Sequence, residues 1–512
     1  MENIVTTQIK HLDFFNPASG KTFGSVPVTT VEQVDQMTND LKAKSPVWAA
    51  KSLRERQQII RKFQSLLVEK RDEITRTINQ DCGKSRQDAL IELFVSLDMI
   101  SQYLSKSTKW LRPERVSSGL YFLKRSIVEH RPHGTVLIIS PWNYPLTLSL
   151  PPVIAALLAG NTVVLKPSEV TAATGVLMEE LFKSVPELSP YVMVAHGDGV
   201  VGAALVNAGL DFIFMTGSTA TGRKIMASAA NTLTPVALEL GGKDAMIVLE
   251  DADLQKAAKW GTWGAFFNTG QTCMAVERVY VVGENYHKFV ELALQETKKF
   301  ESGYSTEKES RFSMGPVTDP RQAKIIDAHL EDALKKGARL LCGGKREGLF
   351  YDPMILVDVD HTMDLMKEES FGPFMPIVKV KDEHEAISLA NDSKYGLGAS
   401  VWSKNDAHAK RIANELQASS VIINDCIAQF GIPMLPFGGV KESGFGRVHG
   451  EQGLLQFTRP YSYAVGQPPM KWDIATILRE PGKYYLADKL MRVLFAPQIS
   501  EKIKALFAGK DN

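Results

Sequence analysis

The 512-residue sequence contains only four cysteines, Cys82, Cys273, Cys342 and Cys426, and no two of them have the spacing of a disulfide framework or a metal site. The ten histidines form no metal motif either, so no metal is expected. The formal charge of +1 provides no basic field that would favour nucleic acid as a partner. We therefore expect small-molecule chemistry in a reducing, cytoplasmic compartment.

The sequence also lacks an unbroken apolar run of membrane-spanning character. Residues 134–165 carry no charge, but four prolines interrupt them. A helix facing lipid would leave backbone groups unpaired around these prolines. The stretch is therefore interpreted as buried strand, turn and helix. Residues 1–14 include Glu2 and Asp13 and do not have the pattern of a secretory signal peptide.

Short β-rich runs alternate with helical segments from Thr135 onward, and this alternation restarts after Lys243. It predicts βαβ units and two α/β domains with parallel sheets that meet near residues 239–243, a junction of the kind that ligand clefts favour. The first 110 residues have mostly helical spacing. A capping box at Thr30 to Gln33 predicts the start of one of these helices.

Two residues on glycine-flanked turns suit covalent chemistry on a carbonyl group. Cys273 ends the motif Gly-Gln-Thr-Cys, and Glu239 lies in Leu-Glu-Leu-Gly-Gly-Lys. A cysteine thiolate is a strong nucleophile, and a nearby carboxylate can accept a proton from the thiol or from water. Taken singly, the cysteine could be a small buried hydrophobe and the glutamate the end of a strand.

Five further motifs surround this pair in a fixed order. They are Pro-Trp-Asn-Tyr-Pro at 141–145, Lys-Pro-Ser-Glu at 166–169, Phe-Met-Thr-Gly-Ser at 214–218 with Gly222, Glu-Glu-Ser-Phe-Gly-Pro at 368–373, and Pro-Phe-Gly-Gly at 436–439 with Lys441, Ser443, Gly444, Gly446 and Arg447. With these motifs the chain resembles the aldehyde dehydrogenase superfamily from about Phe15 to Pro460.

The resemblance implies an α/β fold with a Rossmann-like NAD-binding domain, a second α/β catalytic domain and a small β oligomerisation element. The expected boundaries are 1–119 and 133–241 for the NAD-binding domain, 242–453 for the catalytic domain, 120–132 and 454–468 for the oligomerisation strands, and 469–512 for a C-terminal amphipathic extension. Because the oligomerisation strands match those of the family, a homodimer or homotetramer is expected.

The resemblance also implies a nicotinamide cofactor. The turn at 216–222 follows a predicted strand and opens a helix, where backbone N–H groups can bind a pyrophosphate. Because it lacks Gly-x-Gly-x-x-Gly spacing, an ordinary connection between strand and helix with no ligand is an equal alternative. A carboxylate at Glu169 would repel a 2′-phosphate, so NAD is expected, with NADP as the alternative. The predicted cofactor residues are Trp142, Lys166, Ser168, Glu169, Thr216, Gly217, Ser218, Gly222, Glu369 and Phe371.

In the mechanism that the resemblance implies, Cys273 attacks an aldehyde to give a thiohemiacetal. The Asn143 amide and the Cys273 backbone N–H stabilise its oxyanion. Hydride transfer to NAD leaves a thioester, and Glu239 activates the water that releases the acid. The CoA-acylating branch lacks this glutamate, so its presence favours hydrolysis. Glu451 could carry protons from Glu239 or lie on the surface.

The expected substrate is a hydrophobic aldehyde, either long-chain, apocarotenoid-like or aromatic. One alternative is a semialdehyde dehydrogenase of central metabolism, whose anionic substrate would require an arginine in the pocket. A second is a catalytically silent binding or structural protein of the same fold, although the intact set of Cys273, Glu239 and Asn143 argues against it.

The last 42 residues, 471–512, carry eight Lys or Arg and five Asp or Glu. Apolar residues at helical spacing on both sides of Pro497 predict two amphipathic helices. Such helices usually pack on their own protein or on a partner subunit, and peripheral contact with a membrane surface is the alternative.

Overall fold

The computed structural model describes residues 10–121, 124–466 and 479–509. The chain divides into two compact units, one formed by residues 1–110 and 132–459 and the other by residues 111–131 and 460–512. The predicted α/β class is confirmed, since both large sheets of the first unit consist mainly of parallel strands. The domain boundaries inferred from the sequence remain a prediction.

An antiparallel hairpin precedes the helices of the first unit. The sequence pattern predicted helical structure in this region and did not predict the hairpin. Its strands are β1 (His11–Asn16) and β2 (Lys21–Pro27), and the turn between them contains Gly20 at φ +68°. Four helices follow, α1 (Val31–Ala50), α2 (Leu53–Glu69), α3 (Arg71–Cys82) and α4 (Arg86–Trp110). The predicted capping box of α1 is present.

The first large sheet has the order β21-β9-β8-β5-β6-β7 among the described residues, and only its edge strand β21 is antiparallel. Its parallel strands alternate with helices, in chain order β5 (Thr135–Ile139), α5 (Leu150–Ala159), β6 (Thr162–Lys166), α6 (Ala172–Lys183), β7 (Val192–Val194), α7 (Gly199–Asn207), β8 (Phe212–Thr216), α8 (Thr219–Ala229) and β9 (Val236–Glu239).

The second large sheet has the order β12-β15-β16-β11-β10-β18-β19, with β12 antiparallel at one edge. Its elements are β10 (Ala245–Val248), α9 (Leu254–Phe266), β11 (Arg278–Val282), α10 (Asn285–Thr297), α11 (Pro320–Lys335), β12 (Arg339–Cys342), β15 (Met354–Val357), β16 (Phe374–Val380), α13 (Glu383–Asn391), β18 (Gly398–Trp402), α14 (Asp406–Glu415) and β19 (Ser420–Ile423).

Short elements complete the first unit. They are β13 (Arg346–Glu347), β14 (Phe350–Tyr351), α12 (Asp364–Lys367), β17 (Tyr395–Gly396), β20 (Val440–Lys441), β21 (Gly444–Phe445) and α15 (Gly450–Leu455), with 3₁₀ turns at Glu169–Thr171, Ser189–Tyr191, Ala230–Thr232 and Phe267–Gly270.

Helices cover both faces of the large sheets, so their strands are buried on both sides. In the second sheet, for example, Ile247 and Tyr280 lie in one apolar cluster, and their neighbours Met246 and Val279 lie in another. The burial of both faces accounts for the continuous runs of Val, Ile and Leu in the sequence. Among the described residues, no helix combines the length and the apolar character needed to cross a bilayer.

The second unit contains a three-stranded sheet of order β22-β4-β3, formed by β3 (Glu114–Val116), β4 (Lys124–Pro132) and β22 (Thr458–Gly466), and a 3₁₀ turn at Gly119–Tyr121. It also contains two helices, α16 (Tyr484–Phe495) and α17 (Ile499–Phe507), as predicted on either side of Pro497. Within the expected segments, residues 122–123, 467–478 and 510–512 lie outside the described residues.

Candidate active site

Three separate segments of the first unit carry the predicted catalytic residues. Glu239 is the last residue of β9 and is in register with Thr216, the last residue of the parallel strand β8. Asn143 lies in the turn after β5, and Cys273 follows the 3₁₀ turn Phe267–Gly270. The residues thus lie at or beyond strand ends, where ligands of α/β sheets bind.

The loop that presents Cys273 has an unusual backbone. Asn268, Thr269 and Gly270 have φ values of 51°, 59° and 73°, a conformation that non-glycine residues adopt rarely and at some energetic cost. A Cβ atom at Gly242 would lie 2.4 Å from the Cys273 carbonyl oxygen. The glycine therefore allows the Cys273 backbone to approach the segment that follows Glu239.

Cys273 is half-buried and its thiol is neutral at rest. Burial raises its pKa well above the usual value, and the carboxyl groups of Asp244, Glu369 and Glu239 act in the same direction. A thiol in this environment needs a base to become a nucleophile.

Glu239 is suited to act as that base. It is 5% exposed, and neither carboxyl oxygen has a hydrogen-bond partner among the described residues. Burial raises its pKa well above the usual value, while Arg447 has the opposite effect. Buried carboxyl groups are normally paired, so an unpaired one that lines the same cavities as a cysteine is a candidate for a catalytic base.

Asn143 is buried and its side chain is held in one direction. Its amide Nδ2 donates to the backbone oxygen of Gln271 at 3.0 Å, two residues before Cys273. The amide has a second N–H that can bind a developing negative charge.

Two cavities have both Cys273 and Glu239 in their walls. The larger, of about 220 Å³, is called the polar cavity here and contains six of the predicted cofactor residues. It is lined by Pro141, Trp142, Asn143, Leu148, Thr216, Gly217, Ser218, Glu239, Leu240, Gly241, Cys273, Gln322, Ile325, Glu369 and Phe371.

The smaller cavity, of about 30 Å³, is called the apolar cavity. It is lined by Tyr103, Thr147, Leu148, Pro151, Pro152, Phe214, Thr216, Glu239, Leu240, Cys273, Leu397, Phe430, Phe437, Val448, His449, Gly453, Gln456 and Phe457. Among these described residues there is no lysine or arginine. His449 is buried, and burial lowers its pKa to about 3, so its ring is neutral.

Four of the predicted cofactor residues do not line the polar cavity. Lys166, at the end of β6, has its Nζ 3.6 Å from Glu169 Oε2, and the Ser168 hydroxyl accepts from the Val170 N–H. Glu169 also lies 3.3 Å from Arg321. A Cβ atom at Gly222 would lie 2.9 Å from the Leu240 side chain.

Gly222 therefore allows α8 to pack closely on the segment after β9. This is a structural reason for a glycine at that position, separate from the cofactor role that the sequence suggested.

Glu369 and Phe371 are fixed by a network that the sequence did not reveal. Glu369 accepts from the Gly242 N–H at 3.0 Å, and burial, followed by the nearby Glu277, raises its pKa to about 8. Glu277 accepts from the backbone N–H groups of Ser370 and Phe371 and from Lys243.

Lys243 and Glu277 were missed because no local pattern distinguishes them from an ordinary surface pair; they are paired only in the folded chain. Glu451, considered above as a proton carrier, is exposed and lines neither cavity. Among the described residues, no group of three or more His, Cys, Asp or Glu could hold a metal ion.

The protein is thus an α/β protein in which Cys273 and Glu239 line the same two cavities and Asn143 lines the polar one. The model of the aldehyde dehydrogenase family matches residues 4–462. The chain belongs to this family, which confirms the resemblance and makes the protein an oxidoreductase that acts on aldehydes.

The names of two similar proteins refer to different aldehyde substrates. The 4,4′-diapolycopene aldehyde oxidase of a Methylomonas species is 40% identical over 450 residues, covering 87% of this chain and 84% of the relative. A Mycobacterium ulcerans protein named "Putative succinate-semialdehyde dehydrogenase", with NADP(+) in its name, is 34% identical over 487 residues, covering 91% and 93%.

Solved structures of the family are closely similar. An NADP-dependent glyceraldehyde-3-phosphate dehydrogenase of Bacillus halodurans, in complex with NADP, has a TM-score of 0.84 and 35% identity, and the match covers 89% of this chain and 96% of that one. Betaine aldehyde dehydrogenase of Staphylococcus aureus, in complex with NAD⁺, has a TM-score of 0.85 and 30% identity, and covers 91% and 94%.

Proposed function

We propose that the protein oxidises a hydrophobic aldehyde to its carboxylic acid through a thioester on Cys273. The apolar cavity carries this proposal. It extends from Cys273 and Glu239 between aromatic and aliphatic side chains, and no cation is present in its described lining. The chemistry of this wall is complementary to a hydrocarbon chain.

Formation of the covalent adduct uses groups of this chain. The thiol proton passes to Glu239, or more slowly to solvent base, as the Cys273 sulfur bonds to the carbonyl carbon, and the carbonyl oxygen becomes an oxyanion. The second N–H of Asn143 and the Cys273 backbone N–H donate to that oxygen. Losing one such donor typically costs about 3 kcal/mol of transition-state stabilisation.

The second half of the reaction depends on Glu239. Its raised pKa makes it a stronger base than an exposed carboxylate, so it can take a proton from water as the water oxygen attacks the thioester carbon. The carbon–sulfur bond then breaks, the acid leaves, and Glu239 passes the proton taken from water to the Cys273 sulfur. The thiol proton accepted in the first step has by then passed to solvent.

The polar cavity fits a nicotinamide dinucleotide. Gly217 and Ser218 line it at the N-terminus of α8, where the helix dipole and unpaired N–H groups attract phosphate. The Glu369 carboxyl, with a pKa of about 8, is largely protonated at pH 7 and can both donate and accept. A nicotinamide bound by these residues would supply the acceptor for the hydride of the aldehyde carbon.

We propose NAD rather than NADP as the preferred cofactor. Glu169, the first residue of the 3₁₀ turn that follows β6, can accept from ribose hydroxyls and repels a 2′-phosphate. Lys166 and Arg321 approach Glu169 and offset part of its charge, which keeps NADP as the alternative. Relatives complexed with each cofactor are known in the family.

A semialdehyde dehydrogenase is the second candidate, because a relative with that name is 34% identical. An anionic substrate would need a cation near Cys273, and the described linings of both cavities contain no lysine or arginine. The 40% identity to a diapolycopene aldehyde oxidase supports the apolar substrate instead.

We also propose a homodimer or homotetramer in the cytoplasm. Helices α16 and α17 expose large apolar side chains, including Tyr484, Phe495, Ile499 and Phe507. These provide a surface for a partner subunit, with a membrane surface as the alternative. Sedimentation velocity, alone and with anionic vesicles, separates the two outcomes.

The substrate proposal is tested with a panel of aldehydes and NAD, following NADH formation. We expect the highest kcat/KM with long unbranched or polyene aldehydes and a value at least about 100-fold lower with succinate semialdehyde, in line with the cost of leaving a charge unpaired. A preference for the semialdehyde would support the second candidate, and no turnover with any aldehyde would support a silent protein.

A further inference from the structure

A buried ion pair lies behind the turn that carries Asn143. Lys84, between α3 and α4, and Glu92, in α4, have their charged atoms 2.9 Å apart, and their side chains are 3% and 0% exposed. Burial lowers the pKa of Lys84, but Glu92 and other anionic neighbours outweigh it, so the pKa lies above its usual value. Removing two charges from water is unfavourable, so a buried ion pair contributes little net free energy to folding. The other contacts of Lys84 and Glu92 are more informative about their role.

Both members of the pair bind the turn at 143–147. Lys84 Nζ donates to the backbone oxygen of Asn143 at 2.7 Å. One oxygen of Glu92 accepts from the N–H groups of Leu146 and Thr147, at 2.8 and 3.2 Å. The ion pair therefore binds the first and last residues of the turn.

The same lysine also contacts the segment that precedes the nucleophile. Its Nζ lies 4.3 Å from the ring centroid of Tyr144, and the Tyr144 hydroxyl forms a 2.8 Å hydrogen bond with the Thr272 hydroxyl, adjacent to Cys273. A single buried ammonium group thus links the turn of the amide donor to the loop of the nucleophile.

We propose that Lys84 and Glu92 are positioning residues that hold the Asn143 amide where it meets the oxyanion. The inference rests on the proposed role of Asn143. Lys84 fixes the Asn143 carbonyl, and the Asn143 side chain is then directed by Gln271 and by the ligand. A misplacement of about 1 Å in a catalytic group can cost on the order of 100-fold in rate, so the accuracy of this turn matters for catalysis.

The test uses the double substitution Lys84→Met and Glu92→Gln, which leaves no unpaired buried charge and retains an acceptor for the Leu146 and Thr147 N–H groups. We expect kcat to fall by about 10- to 100-fold, with the rate of Cys273 alkylation by iodoacetamide and the Kd of the cofactor changed by less than about 3-fold. If the double variant is insoluble, the single variant Glu92→Gln is measured in the same way.

A matched control is Arg86→Met on the same helix. Arg86 pairs with the half-exposed Asp72 and donates to the Thr75 hydroxyl, and both partners lie in α3 rather than in the turn at 143–147. The Arg86→Met substitution should lower the midpoint of thermal unfolding. It should not lower kcat when the rate is divided by the concentration of Cys273 that iodoacetamide can alkylate.

The decisive readout is a cycle with Asn143→Ala. If the ion pair acts through Asn143, the double substitution should change kcat by less than about 3-fold in the Asn143→Ala protein, because the two changes remove the same interaction. An equal loss in both backgrounds would overturn the inference and leave a purely structural pair. An Asn143→Ala protein with unchanged kcat would instead contradict the proposed function of Asn143.

Discussion

The polar and apolar cavities share Cys273, Glu239, Leu148, Thr216 and Leu240 but differ in their other wall residues. Glycine, serine, asparagine and a buried carboxyl line the polar cavity, whereas the apolar cavity has four phenylalanines, a tyrosine and two prolines. The polar cavity is built to bind charged and hydroxyl groups of a cofactor, and the apolar cavity to exclude water from a hydrocarbon chain. The comparison indicates that the reaction takes place where the two environments meet.

Replacing Cys273 by alanine removes the group common to both cavities and should have the largest effect. We expect aldehyde oxidation to fall by at least about 10⁴-fold, because no other cysteine lines either cavity in the described residues. The Kd of NAD, measured by calorimetry, should remain within about 3-fold, since the polar cavity is otherwise intact. Retained oxidation would show that the cysteine is not the shared reactive group.

Glu239→Gln tests the base that both cavities share, and we expect kcat to fall by about 10²- to 10⁴-fold. The neutral amide cannot accept a proton from water, so hydrolysis should slow more than thiol attack, which solvent base can still support, and acylated enzyme should accumulate. Rapid mixing should then show a burst of NADH followed by a slow steady rate. Unchanged kcat would show that another group activates the water.

The pH dependence follows from the same residue. Glu239 acts as a base only when ionised, and burial raises its pKa well above the usual value. Activity should therefore increase with rising pH, with the midpoint of the acidic limb well above that of an exposed glutamate. The limb should disappear in Glu239→Gln, and a midpoint near the ordinary carboxyl value would contradict the buried, unpaired state.

Asn143→Ala tests the oxyanion donor on the polar side. We expect kcat to fall by about 10²- to 10³-fold, with a smaller change in KM, because the amide binds the charge that develops during the reaction. Steady-state kinetics with one preferred aldehyde measure both constants. A change confined to KM would mean that Asn143 binds the ground state only.

Phe430→Ala sharpens the comparison on the apolar side and should have the smallest effect. We expect kcat/KM for long apolar aldehydes to fall by about 10- to 100-fold, with acetaldehyde less affected, because a short chain makes fewer contacts with the aromatic wall. Phe445→Ala is the control, since Phe445 is 41% exposed and lines neither cavity. Equal losses with long and short aldehydes would argue against a role in substrate selection.

The sequence predicted the α/β class and the helices well, because alternating β-rich runs and the Thr30 capping box are local signals. It missed the hairpin at residues 11–27, whose strands are short and partly exposed and therefore lack a clear apolar pattern. It also named Cys273, Glu239 and Asn143, since each lies in a motif of its own.

The sequence could not reveal the residues that support those motifs. Lys84 is 59 residues before Asn143, and Glu92 is 54 residues before Leu146. Only folding brings these partners together. The same is true of Lys243 and Glu277, which are 34 residues apart. Nor does a one-dimensional pattern show which side chains line a cavity, so the apolar wall beside Cys273 emerged only from the structure.

The most direct test of the account is the mass of the intact Glu239→Gln protein after brief mixing with NAD and a long apolar aldehyde. We predict an adduct equal to the aldehyde less two hydrogen atoms, mapped by peptide analysis to Cys273, because oxidation precedes the blocked hydrolysis. An unmodified protein that still forms NADH, or an acyl group on another residue, would contradict the proposed thioester.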